Sequence, residues 1–262
     1  MRAWMRGLVA TGAAYAVLVA VPPPAAADLS LDITPAQYEF QADAGRQTTF
    51  PIMVRNVGNA TVHVVASLVD VDTTAEGGGA RFLRPGSKKF SASRWSEVNP
   101  REFDIPVDGV QQVRYTVSVP NGAHGEYPAF VFFTTRPPRK PGGFGLAESV
   151  ASRLYTVVGD VTPGGAVDEV FTKPLDSGRE YAVKFQNTGS MHEYIGGIVD
   201  VTNGGSNVDH IVLPPKTLVP RGEAQIVSAQ GKKLPPGTYS AVAIVDYGGH
   251  SRVAGKTTFV VR

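Results

Sequence analysis

The sequence predicts an all-β chain of two tandem β-sandwiches built from short antiparallel strands. Three observations predict it. In "QQVRYTVSVP" (111–120), Val113, Tyr115, Val117 and Val119 alternate with Gln112, Arg114, Thr116 and Ser118. A period of two with β-branched residues marks a half-buried strand. The 29 glycines and 20 prolines fall between short apolar stretches and leave no room for long helices. The chain also repeats itself, since "NVGNATVHVVASLVDV" (56–71) is answered by "NTGSMHEYIGGIVDVTN" (187–203).

At the amino end, Arg2 and Arg6 precede the uncharged apolar run "GLVATGAAYAVLVAV" (7–21), then Pro22 to Pro24 and Ala25 to Ala27. This is the pattern of a secretory signal peptide, residues 1–27, cleaved after Ala27. The expected protein is exported to the periplasm, cell envelope or exterior. No later stretch is long and apolar enough for a transmembrane segment. Two of the 25 basic residues leave with the leader, so 23 face 23 acidic ones, which gives no reason to expect nucleic acid as a partner. There is no cysteine, so the fold relies on its core without disulfides.

The first sandwich, residues 28–161, has strand patterns in "TTFPIMVRN", "VHVVASLVDV", "QQVRYTVSVP", "YPAFVFFTT" and "SRLYTVVGD". The second, residues 162–262, has them in "EYAVKFQN", "GGIVDVTN", "DHIVLPP", "AQIVSAQ", "TYSAVAIVDY" and "KTTFVVR". The joint is expected near "GDVTPGG" (159–165). "GEYPA" (125–129) matches "GTYSA" (237–241). In immunoglobulin-like sandwiches a tyrosine at the start of strand F ties a corner to the backbone, two residues before a core position. Tyr127 and Tyr239 fit that place, with Ala129 and Ala241 at the core position. Both sandwiches are therefore expected to be immunoglobulin-like.

No nucleotide, zinc or hydrolase motif stands in the chain. "GFGLAE" (143–148) lacks the third glycine of a dinucleotide fingerprint, and "DVDTTAEGGG" (70–79) lacks calcium-loop ligands. His63, His124, His192, His210 and His250 are scattered without metal-ligand spacing, and exposure is expected of them. The expectation is a non-catalytic protein with no cofactor and no metal. A site assembled from scattered carboxylates is the less favoured alternative. Two basic stretches are the candidate partner-binding loops. One, 73–94, carries Arg81, Arg84, Lys88, Lys89 and Arg94; the other, 136–145, carries Arg136, Arg139, Lys140 and Phe144. They are expected at opposite ends of the first sandwich.

In "RWSEVNPREFDI" (94–105), Trp95, Val98, Phe103 and Ile105 are expected to plug an edge of the sandwich, with Arg94, Glu97 and Arg101 facing water. The stretch "RWSEVNPREFDIPVDGVQQVRYTVSVP" resembles the corresponding part of bacterial periplasmic pilus-chaperone-like sandwiches. Its continuation into "GEYPAFVFF" and "SRLYTVVGD" is similar to the WxL-interacting surface proteins, whose first domain is of the peptidoglycan-binding type. The resemblance implies an envelope binding protein whose partner is an envelope protein or a cell-wall glycan. The alternative it implies is a pilus-chaperone-like assembly factor. Pilus chaperones anchor a subunit carboxylate with a strand-A arginine and a strand-G lysine. Here "LDITPAQYEF" offers no arginine, and "ESVASRLYTVV" offers Arg153 but no lysine.

Overall fold

The computed structural model describes residues 30–73, 79–136 and 147–262, and among them it has strands, one 3-10 turn and no α-helix. In the first sandwich one sheet runs β1 (Leu31–Thr34), β3 (Gln47–Asn56), β8 (Val110–Ser118), β6 (Ser96–Asn99). The facing sheet runs β2 (Gln37–Gln41), β10 (Ser149–Val158), β9 (Gly125–Arg136), β4 (Val62–Thr73), β5 (Ala80–Leu83), and β7 (Glu102–Ile105) also pairs with β4. The period of two read in β8 sends Val113, Tyr115 and Val117 into the core, against Ile52 and Val54 of β3 and Ala129, Val131 and Phe133 of β9. Tyr115 is wholly buried, its hydroxyl 2.6 Å from the Ser96 hydroxyl, and burial pushes its pKa up to about 12.

Trp95 closes the 3-10 turn Ser93–Trp95 and packs on the core, its ring 4.5 Å from that of Tyr127. Val98 and Ile105 are buried and Phe103 is half-buried, while Arg94, Glu97 and Arg101 are exposed.

In the second sandwich β11 (Gly165–Leu175), β12 (Gly178–Asn187) and β15 (Ala224–Gly231) form one sheet. The other runs β14 (Ser206–Val219), β13 (Glu193–Asn203), β16 (Gly237–Asp246), β17 (Val253–Val261). Tyr181, Phe185, Ile195, Leu213 and Val245 fill the space between them.

The repeated Asn-x-Gly has one structural meaning in both halves. The Asn56 side-chain amide donates to the carbonyls of Ala60 (2.7 Å) and Ile105 (3.0 Å), and its oxygen accepts the Gly58 N–H at 3.0 Å. Asn187 does the same with Met191 (2.9 Å), Val219 (3.1 Å) and Gly189 (2.8 Å). Each asparagine pins the turn after its strand to the residue before a proline, Pro106 or Pro220. Buried amides satisfied this fully fix one turn geometry. The tyrosine corner is present in the second sandwich, where the Tyr239 hydroxyl donates to the Pro235 carbonyl at 2.7 Å. In the first, the Tyr127 hydroxyl instead accepts the His124 N–H at 3.3 Å, with Trp95 against its ring. Ala129 and Ala241 are both fully buried.

Candidate partner-binding cleft

Strand alternation builds the floor of the site. On β9 Ala129, Val131 and Phe133 point into the core, so Glu126, Pro128, Phe130 and Phe132 point outward. On β10 Leu154 and Val158 point inward and Arg153 and Tyr155 outward. The second sandwich presses on the lower part of this outer face. The Glu126 carboxylate accepts the His192 backbone N–H at 3.0 Å and lies 2.7 Å from its Nδ1, with Glu126 1% and His192 7% exposed. Tyr155 stacks on the His192 ring at 4.4 Å, and burial pushes the Tyr155 pKa up to about 12.

The joint is fastened on both sides of that pair. The Glu126 N–H donates to the Ser190 carbonyl at 2.8 Å, and Arg221 Nη1 donates to the carbonyls of His124 (3.0 Å) and Glu126 (3.1 Å). The Arg221 guanidinium also lies 4.0 Å from the Phe90 ring centroid and 5.2 Å from that of Tyr127. Gly125 makes this approach possible: at φ +89, a Cβ there would lie 2.7 Å from both Arg221 Nη1 and the Ser190 carbonyl oxygen. The connecting segment is zipped to the turn before β13, with Gly164 N–H donating to Glu193 Oε1 at 2.6 Å and Ser190 N–H to the Thr162 carbonyl at 2.9 Å.

Between the sandwiches this leaves a cleft of about 460 Å³. Phe130, Arg153 and Tyr155 floor it, Lys88, Lys89 and Phe90 form one wall, and Leu218 and Pro220 to Glu223 with His192 the other. Lys88 spans the mouth, 2.6 Å from Asp72 and 2.7 Å from Glu223. Burial alone would lower the Lys88 pKa; the bonds to those two carboxylates outweigh it and raise it. Bonds from Lys88 and then Arg81 hold Asp72 below the usual carboxylate range. Arg153 sits 5.8 Å from the Phe130 ring centroid and Lys89 5.0 Å from that of Phe90, and neither meets a carboxylate among the described residues. The cleft therefore offers apolar walls and two cations without counter-ions, a setting for an anionic, partly apolar ligand. Among the described residues no group of His, Cys, Asp or Glu side chains could hold a metal ion.

The predicted cations scatter around this site. Lys88 and Lys89 line the cleft, and Arg84 is exposed just beyond β5. Arg81 lies on β5 with its guanidinium on Asp72 at 2.6 Å, and Arg94 donates to the Gly86 carbonyl at 2.7 Å. Arg136 ends β9 and meets Glu102 at 2.8 Å. Register puts Arg136 opposite His63 and Arg81 opposite Asp72, at the two ends of β4. Arg139, Lys140 and Phe144 lie outside the described residues. The stretch 79–94 is more ordered than a solvated loop, because the buried Asp70 carboxylate accepts the hydroxyls of Ser91 and Ser93 at 2.5 Å each and the Lys88 N–H at 2.8 Å. His192 departs from the expected exposure, since the second sandwich buries it on Glu126. Sequence reasoning also missed Glu126 and Arg221. Nothing local announces a pair separated by 66 positions.

No family model matches the chain, and no curated protein matches it. Solved structures do. A chain of the chaperone–tip adhesin complex of CFA/I fimbriae superposes with a TM-score of 0.51 at 9% identity, over 87% of this chain and 98% of that one. The two chains share a fold of tandem β-sandwiches. The class 5 fimbriae chaperone CfaA matches with a TM-score of 0.49 at 8% identity over 87% and 99% of the two chains. The Salmonella enterica SafA pilin–SafB chaperone complex matches with a TM-score of 0.45 at 18% identity over 90% and 99%. At these identities the likeness is one of fold alone, and none of the three is described as a WxL-interacting protein.

Proposed function

We propose that the chain is an exported, non-catalytic assembly factor of the pilus-chaperone kind, which holds a subunit of an envelope structure. In this reading residues 1–27 are a cleaved leader, and residues 28–161 and 162–262 are the two sandwiches that form the cleft. The observation that carries it is that cleft, braced by the Glu126–His192 pair and furnished with Arg153 and Lys89 lacking counter-ions. The likeness to a chain of a chaperone–tip adhesin complex makes an envelope protein the favoured partner over a cell-wall glycan. No described helix is long and apolar enough to cross a membrane.

The test is an aggregation assay. An exported β-rich subunit encoded beside this chain is diluted from urea with and without an equimolar amount of residues 28–262. Suppressed light scattering and a one-to-one complex on gel filtration are expected. Scattering no lower than with an unrelated two-sandwich protein refutes the reading.

A further inference from the structure

The two sheets of the first sandwich have outer faces of opposite character. Outward positions of β3, β8 and β6 are mostly polar, among them Thr49, Arg55, Gln112, Arg114, Thr116 and Glu97. That is the usual alternation of an antiparallel sheet with one face in water. Outward positions of β4, β5, β9 and β10 instead include Val65, Val69, Phe82, Phe130, Phe132 and Ala151, with His63, Ser67, Thr134 and Ser149 among them toward the far end. Register aligns them in rows: Val69 is opposite Phe130, and Phe132 is opposite Ala151. Phe82 is 59% exposed and packs edge-on against Phe132 at 4.8 Å, so it covers a neighbour and remains in water itself. A contiguous aromatic surface of this kind marks an interaction site.

The surface runs without a break into the cleft, because Phe130 belongs to both. At that end stand Lys89 and Arg153, neither of which meets a carboxylate among the described residues, whereas Asp70, Asp72, Glu126 and Glu223 are already bonded to protein partners. Charge on offer there is positive only. The edge of β10 is a poor alternative seat. Over Arg153–Val157 the strand is paired on both sides, with β9 and with β2. Its inward residues Leu154, Thr156 and Val158 are buried.

We propose that the partner docks face-on against β4, β5, β9 and β10, through an extended apolar segment of a protein whose acidic side chains enter the cleft at Arg153 and Lys89. No strand of this chain is donated. The inference rests on the assembly-factor reading and specifies how that site takes its partner. Desolvated aromatic contact supplies the affinity, and the acidic end fixes direction along the face.

The test uses a C-terminally amidated ten-residue peptide, alternating valine and phenylalanine with serine and ending in two aspartates, and its counterpart ending in two lysines. Amidation makes side chains the only source of negative charge. Fluorescence anisotropy with residues 28–262 should show the aspartate peptide binding at least tenfold more tightly than the lysine peptide. Phe82→Ser and Arg153→Glu should each weaken it at least tenfold with unchanged circular dichroism, and Val150→Ala, on the part of β10 beyond β2, should leave it intact. Equal binding of the two peptides overturns the inference, as does loss with Val150→Ala but not with the face variants. If the neighbouring subunit forms its complex with both face variants, face-on docking fails and the assembly-factor reading stands. If no subunit complex forms with the wild type, that reading fails instead.

Discussion

The Glu126 carboxylate at the start of β9 holds both the backbone N–H and the Nδ1 of His192, at 3.0 and 2.7 Å, across the boundary between two sandwiches. This bond sets the walls of the cleft. Removing one member of a buried pair leaves the other without a partner, at a cost of about 3–5 kcal/mol. Glu126→Ala should therefore lower the thermal midpoint and broaden the distribution of interdomain distances in small-angle X-ray scattering. Both sandwiches should keep their β circular dichroism, because neither core contains Glu126.

Gly125 gives an independent way to disturb the same joint. Alanine there meets an unfavourable φ, costing roughly 1–2 kcal/mol, and displaces Arg221 from the carbonyls of His124 and Glu126. Gly125→Ala should loosen the joint as Glu126→Ala does. Gly122→Ala is the control, because it has a similar φ of +78 but open space around the added carbon. Equal interdomain flexibility in the two alanine variants would show that Gly125 has no special part in the joint.

Glu193 sets a pH dependence. Burial raises its pKa against the opposing pull of the Gly164 N–H, and its Oε2 lacks a hydrogen-bond partner. A carboxyl whose folded pKa exceeds its unfolded one is stabilised by the fold in its protonated form. Its contribution is complete below the unfolded pKa and is lost as pH climbs through the folded one. Glu193→Gln should therefore gain thermal stability relative to wild type between pH 4 and pH 7. A difference that stays constant over that range would refute the assignment.

Asn56 and Asn187 should behave alike. Each alanine substitution strands one buried carbonyl, of Ile105 or Val219, a part-buried second one and a turn N–H, at about 1–3 kcal/mol for each buried group left unpaired. Urea melts should show a loss of several kcal/mol in either variant, with the sandwich that carries the change unfolding first.

The strands with strict alternation were legible in the sequence. β8, β16 and β9 from Ala129 onward each interleave buried and less buried positions. The strand β11 was not, because its register slips between Val167 and Glu169 and Val170 is its only buried residue. The short β5 lay hidden in a glycine- and lysine-rich stretch that looked like loop. Of the site, the sequence exposed the cations Lys88 and Lys89 but not the pair that shapes the cleft, since Glu126 and His192 meet only after both sandwiches have formed. One signal was available: in "YPAFVFFTT" phenylalanines fall on both faces of one strand, which in an antiparallel sandwich means that the outer face is meant to be covered.

The most direct measurement places a photo-crosslinking amino acid at Phe130, where the cleft joins the aromatic face, in the chain co-expressed with the neighbouring exported subunit. A matched variant carries it at Thr49, on the polar face of the same sandwich. The account predicts one crosslinked adduct of chain and subunit from position 130, abolished by Arg153→Glu, and none from position 49. An adduct from position 49 with none from position 130 would contradict it.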